Sequence, residues 1–255
     1  MRHLKLAERL GIQFPIIQAP MAGGATTPEL VAAVSNIGGL GSLGAGYMKP
    51  DEIRQAIIKI RQLTSKPFAV NLFIPEAHHG TPEQIQSACD DINLCCTELY
   101  IEISPVGKPY SLPFVDQMQI LIEEKIPVFS YAFGTLEPMW IKQLKKISCF
   151  EAGISYKYKQ TLLSQQQDNT VLTRAFSGKL ARGIRNKFIT CMDNRKINIL
   201  DYPIQNALTQ VMRQKAREND NIDFMSLWAG QSAHLCRSMS ASDLISTLVI
   251  EAEMK

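Results

Sequence analysis

Histidines, cysteines and one arginine-bearing motif are the residues whose types and spacing could do chemistry here. The four histidines are His3, His78, His79 and His234. Imidazole is the usual choice for proton transfer and metal binding near neutral pH. His78 and His79 are adjacent, so in an extended chain they point to different sides, and no carboxylate cluster supports them. That spacing argues against a metal pair, and no metal is expected. His234 reads as an ordinary helix histidine. The six cysteines sit singly except for the neighbours Cys95 and Cys96, and no CxxC spacing occurs. Structural zinc is therefore not expected, and reduced thiols in a cytoplasmic protein are the plain reading. The stretch Arg182-Gly183-Ile184-Arg185-Asn186 invites a phosphate-binding reading. Packing or loop anchoring is the competing role, and the preferred one.

The elements that must position such groups alternate between strand and helix in the first half. Pro15 to Ala19 reads as a short buried strand that ends in the loop Pro20-Met21-Ala22-Gly23-Gly24. A helix starts next, either with Thr27 as its cap and Pro28 in the first position, or with Thr26 as cap and Glu29 completing a capping box. Gly38-Gly39 stops it. Leu40 to Leu43 is a second strand. A helix from about Pro50 to Leu63 carries Ile53, Ile57, Ile58 and Ile60 as its apolar face. Phe68 to Phe73 is the third strand, a helix near Pro82 to Tyr100 follows, and Pro127 to Tyr131 is the fourth. A further helix is expected from Glu137 to Lys146. Four β-then-α units in a row imply parallel strands with right-handed crossovers. From Ser148 onward no comparable buried strand is legible, and Tyr156 to Gln167, Pro203 to Glu218 and Ala241 to Glu253 read as helices. The expected division is 1–147, four βα units, and 148–255, mainly helical.

Composition narrows the functional classes. The chain has 255 residues, 45% hydrophobic and 20% charged, with a formal net charge of +3. That suits a globular chain with a core. The charge is too small, and the Lys and Arg residues too scattered, to suggest nucleic acid or an acidic membrane surface as a partner. No apolar run reaches the length of a membrane helix, and the first residues do not build a secretory signal.

The motifs, taken together, resemble the nitronate monooxygenase (2-nitropropane dioxygenase) family. In the first half the matching residues are Gln18 to Gly24, Thr27 to Leu30, Gly38 to Tyr47, Pro67 to Phe73, Pro127 to Ser130 and Phe133-Gly134. In the second half they are Glu151 to Ser155, Thr173 to Lys179, Ala181 to Asn186, Tyr202 to Asn206 and Ser226 to Gln231. Their number and order carry the resemblance. The tail from Ser226 to Gln231 favours these enzymes over the related FMN-dependent enoyl-acyl-carrier-protein reductases.

The resemblance implies an FMN-dependent oxidation of alkyl nitronates, such as propionate 3-nitronate, with O₂. It also implies a TIM-type (β/α) barrel whose site lies at the C-terminal ends of the strands. Pro20, Met21 and Asn71 carry over as flavin contacts. Gly23 and Gly24 would equally serve a tight turn, and Asn71 a strand cap. Some relatives have a polar residue at the position of Ala132. One feature departs from the family. Around residues 147–149 the second half of the barrel is skipped, about a hundred residues at roughly 30 per unit. The Gly-Gly-His motif with the catalytic histidine and the glycine loops for the FMN phosphate belong there, so no catalytic residue is assigned. The fold expected is α/β, an incomplete TIM-type barrel of about four βα units followed by a helical C-terminal segment. FMN binding is expected to be weakened. The second reading is a catalytically inactive truncated relative, whose open sheet edges a homodimer could cover.

Overall fold

The structure is a computed structural model that describes residues 5–136, 161, 164, 169–195, 199–231, 233 and 239–253. Its two compact units interleave along the chain. One comprises Met1–Pro75, Leu112–Ile154 and Ser238–Lys255, the other Glu76–Ser111 and Ser155–Arg237. The cut expected after residue 147 follows the order of motifs, whereas these units follow packing.

The first unit is built on a parallel sheet. Strands β1 (Gly41–Gly44), β2 (Phe68–Phe73) and β3 (Val128–Ala132) are hydrogen-bonded in that order. The expected first strand, Pro15 to Ala19, is reduced to a single parallel bridge between Ile17 and Leu40. The prolines at 15 and 20 have no N–H to give a ladder, which confines pairing to the residues between them. Before it, α1 (Lys5–Leu10) is a short helix that the apolar pattern did not reveal.

Helices cover one face of this sheet. In α2 (Pro28–Asn36) Thr27 is the N-cap, its side chain accepting from Leu30 N, with Pro28 in the first turn. Thr26 is used elsewhere, which decides between the two caps. The helix ends at Ile37 and the chain turns through Gly38 at φ +99°. In α3 (Pro50–Leu63) the buried positions are Ile53, Ala56, Ile57 and Ile60. Ile58, expected on that face, is 39% exposed, because it lies one residue, about 100°, around the helix from Ile57. Between β2 and β3 comes α5 (Phe114–Glu123), which the sequence reading passed over; it buries Gln117, Met118, Ile120 and Leu121. Leu43, Val70, Leu72 and Phe129 meet these helices in one apolar cluster. Leu40, Ala69 and Val128 point to the opposite face, with Leu10 and Ile12 against them. Late in the chain, α9 (Ala241–Glu253) has the limits expected for it and packs on α2. The helix expected at Glu137 to Lys146 lies outside the described residues, as does most of that expected at Tyr156 to Gln167.

In the second unit, α4 (Pro82–Cys95) opens with a capping box between Thr81 and Gln84. It stops short of Tyr100, giving way to a 3₁₀ turn at Thr97–Leu99. The segment after residue 148, expected to be mainly helical, holds two short strands as well among its described residues. Strands β4 (Thr170–Thr173) and β5 (Ala181–Ile184) form an antiparallel pair. Each has four residues, half-buried and partly polar, so neither makes the continuous apolar run that marks a buried parallel strand. Helix α6 (Lys187–Asn194) follows. The helix expected from Pro203 to Glu218 is two, α7 (Ile204–Leu208) and α8 (Gln210–Glu218), parted at Thr209. Phe176, Phe188 and Trp228 pack together as aromatic core, with ring centroids 5.0 and 5.7 Å apart. Among the described residues, no helix is long and apolar enough to cross a membrane.

Cys95 and Cys191 are disulfide-bonded, with Cα atoms 5.8 Å apart. This corrects the expectation of reduced thiols throughout. The two are 96 residues apart in sequence, and only the packing of α4 on α6 brings them together. Cys89 and Cys96 are free and buried.

Candidate functional site at the C-terminal ends of the parallel strands

Side chains alternate between the faces of a strand, so each strand sends every second residue to the face away from the helices. The register places Ser42, Ala69 and Val128 in one row there, then Gly44, Asn71 and Ser130 in the next, then Phe73 and Ala132. Read from the N-terminal end, the face is apolar at Leu40, Ala69 and Val128 and becomes polar at Asn71 and Ser130. A buried polar row needs internal partners. Asn71 is 4% exposed, and its Nδ2 donates to Ser130 Oγ at 2.8 Å. That commitment leaves Oδ1 as the atom available at the strand end.

The loop carrying Pro20 and Met21 is held onto this row by backbone contact. Thr26 Oγ1 accepts from Gly44 N at 2.7 Å and donates to Met21 O at 3.2 Å. Gln18 straddles Ser42, accepting from its N–H at 3.0 Å and donating to its carbonyl at 3.2 Å. The fit leaves no room for a side chain at Gly44, where a Cβ would lie 2.5 Å from the Met21 carbonyl carbon. Pro20 and Met21 are half-buried, while Gly23 and Gly24 are exposed at φ +94° and +90°. The three expected flavin contacts, Pro20, Met21 and Asn71, thus lie at one end of one sheet. Above them, the Phe73 ring stands 5.1 Å from Tyr47 and 4.9 Å from Phe133.

Ser130 to Gly134 were expected to reach this face, and Ser130 does. Gln18, Thr26 and Ser42 were not expected as site residues; for Gln18 and Ser42 the signal was a polar residue inside an apolar segment, whereas Thr26 sits in a bend before α2. Ser42 Oγ is buried and has no hydrogen-bond partner, an orphan of the kind a bound group satisfies. Ala132 faces the same side in the outermost row.

The other candidates lie elsewhere. His78 is half-buried, its ring 5.5 Å from Tyr110, and His79 is exposed. His3 and His234 lie outside the described residues. No group of three His, Cys, Asp or Glu placed to hold a metal occurs among the described residues. The Arg182 to Asn186 motif anchors structure: Arg182 Nη1 donates to Thr170 Oγ1 at 3.1 Å. Asn186 caps α6 through Ile189 N and donates to the carbonyls of Ile222 and Met225.

The family model described as nitronate monooxygenase matches residues 4–155 and 147–251. The chain belongs to the nitronate monooxygenase family. A relative called "Probable nitronate monooxygenase", from Staphylococcus saprophyticus, is 29% identical over 350 aligned positions, covering 98% of each chain. Among solved structures, the nitroalkane oxidase of Streptomyces ansochromogenes superposes with a TM-score of 0.86 at 22% identity, covering 97% of each chain. FabK of Thermotoga maritima gives 0.67 at 20% identity, covering 98% of this chain and 96% of its own. At those identities the likeness speaks for the α/β fold. As a member of the family the chain is expected to be an oxidoreductase. Two further facts bear on its middle. The family matches resume at residue 147, and the 350 aligned positions exceed the chain's 255 residues by 95.

Proposed function

We propose that the chain is an FMN-dependent nitronate monooxygenase by descent. In this reading it keeps the ring-binding part of the flavin site and oxidises alkyl nitronates, such as propionate 3-nitronate, with O₂ at a reduced rate. The observation that carries this is the row Gly44–Asn71–Ser130 with the Pro20–Met21 loop seated against it. A planar ring edge needs close backbone, an amide that can accept or donate, and few bulky side chains. Those features coincide here, and the buried orphan Ser42 Oγ fits a polar group on the ligand. When bound, FMN supplies the electron-carrying chemistry; the protein's part is placement and electrostatics. Pro20 and Met21 would lie along the ring, and Asn71 Oδ1 would accept from its polar edge. For the phosphate, the sequence offers no counterpart of the family's glycine loops, so affinity is weaker than an intact clamp would give.

A second reading, an inactive relative missing the second half of a TIM-type barrel, draws support from the 95 surplus positions in the alignment and from the lack of any Gly-Gly-His motif. In that reading a second copy of the chain covers the open sheet edges. Three measurements on purified protein separate the two: the visible spectrum after adding FMN, O₂ uptake with propionate 3-nitronate, and mass by light scattering. Flavin bands shifted from those of free FMN, with nitronate-dependent O₂ uptake that needs more FMN in Asn71→Ala, support the enzyme. An unshifted flavin spectrum, no uptake and a dimeric mass support the inactive relative.

A further inference from the structure

A separate inference, independent of the flavin reading, concerns the bridge between α4 and α6. Its two sulfurs sit in unlike surroundings. Cys95 is the last residue of α4 and 6% exposed. Cys191 is half-buried and lines an open cavity of about 400 Å³ together with Lys187, Thr190, Asn194 and Arg195. Lys187 and Arg195 lie one turn to either side of Cys191, so the cavity has a cationic rim. Lys187 also pairs with Glu98. Both cysteines lie in the last turn of their helices, where the negative end disfavours a thiolate, and the cations beside Cys191 offset that there. The neighbouring thiols are poor competitors. Cys96 is fully buried, donates to Ile92 O and is pushed up to about 11 by burial; Cys89 is also raised by burial.

We propose that Cys191 is a site of thiol–disulfide exchange with small anionic thiols, and that the bridge to Cys95 opens and closes through it. In closing, the Cys191 thiolate attacks a small disulfide, forming a mixed disulfide and releasing one small thiolate. Cys95 then gives its proton to solvent and attacks Cys191 Sγ. This releases the second small thiolate and leaves the protein bridge. Two protein thiols are oxidised and one small disulfide is reduced to two thiols, so electrons and protons balance. In opening, a small thiolate attacks the accessible Cys191 sulfur and Cys95 leaves. A second small thiol then frees Cys191. Attack requires in-line access to a sulfur, and among the described sulfurs of the bridge Cys191 is the one that faces a cavity.

The test is peptide mass mapping of the full chain held in native glutathione redox buffers and quenched by acid. Expected is a glutathione adduct on Cys191 at intermediate poise, with Cys89, Cys95 and Cys96 unmodified, and a stable Cys191 adduct in Cys95→Ser. Glutathione disulfide should react faster than the cationic disulfide cystamine. At low salt the double variant Lys187→Gln/Arg195→Gln should lose that preference and slow with glutathione about threefold. Adducts on Cys95 or Cys96, equal rates for the anionic and cationic reagents, or a bridge that opens only when the whole protein unfolds would overturn the proposal. So would free thiols at both positions in an oxidising buffer.

Discussion

Asn71 shows how one amide can set the chemistry of a strand end. Its Nδ2 is held by Ser130, so its Oδ1 has a defined direction. Removing that acceptor costs a ligand about one hydrogen bond, about 1.4 kcal/mol or tenfold in affinity. Asn71→Ala should therefore weaken FMN binding about tenfold by fluorescence quenching. Ser130→Ala, which frees the amide without removing it, should have a smaller effect that Ser130→Thr restores. An unchanged affinity in Asn71→Ala would remove Asn71 from the site. Cys96 gives a pH prediction. Burial raises its thiol from 9.0 to about 11, so the folded state favours the protonated form more than the unfolded chain does. That stability is intact below about pH 9 and is lost as pH rises through about 11. Denaturant midpoints should fall over that window, and Cys96→Ala should flatten the fall.

At the scale of elements, strands and helices with strong periodic patterns were legible, and those stabilised by context were not. β2, α3 and α9 have the limits the pattern gave them, because an apolar run interrupted only by Asn71, or a periodic apolar stripe, marks each of them. α5 was passed over because its buried stripe includes Gln117, whose amide donates to Met48 O. The β4–β5 pair was missed because its strands are short and half-wet. At the site, glycines and Asn71 were legible through family motifs, but the roles of Thr26 and Ser130 depend on register, which links residues 18 and 59 positions apart. The glycines at β1 are structural as well. A Cβ at Gly41 would lie 2.0 Å from Val31 O, and one at Gly44 2.5 Å from Met21. Each clash is with backbone, which cannot rotate away. Gly41→Ala and Gly44→Ala should each cost about 2 kcal/mol in urea unfolding. Only Gly44→Ala should also displace the Pro20–Met21 loop and weaken flavin binding beyond its effect on stability.

For the molecule as a whole, the bridge between Cys95 and Cys191 closes a long loop. A loop of that length restricts the unfolded chain strongly, by about 4.5 kcal/mol on chain entropy, which in a protein of this size is a shift of about 13 °C. Reduction, or the double variant Cys95→Ala/Cys191→Ala, should lower the melting temperature by that much in scanning calorimetry. The interleaving of the two units has another outcome, which concerns time. The chain passes between units four times, and α9, which covers α2, is contributed by residues 241–253. Ile245 on that helix is buried, and α2 meets it on a surface other than the one Val31 gives to the sheet and α3. A ribosome making this protein exposes α2 early and delivers its cover more than two hundred residues later. Until then the site that receives Ile245 stays open, so chains stalled before residue 241 should be less stable in pulse proteolysis than the full chain.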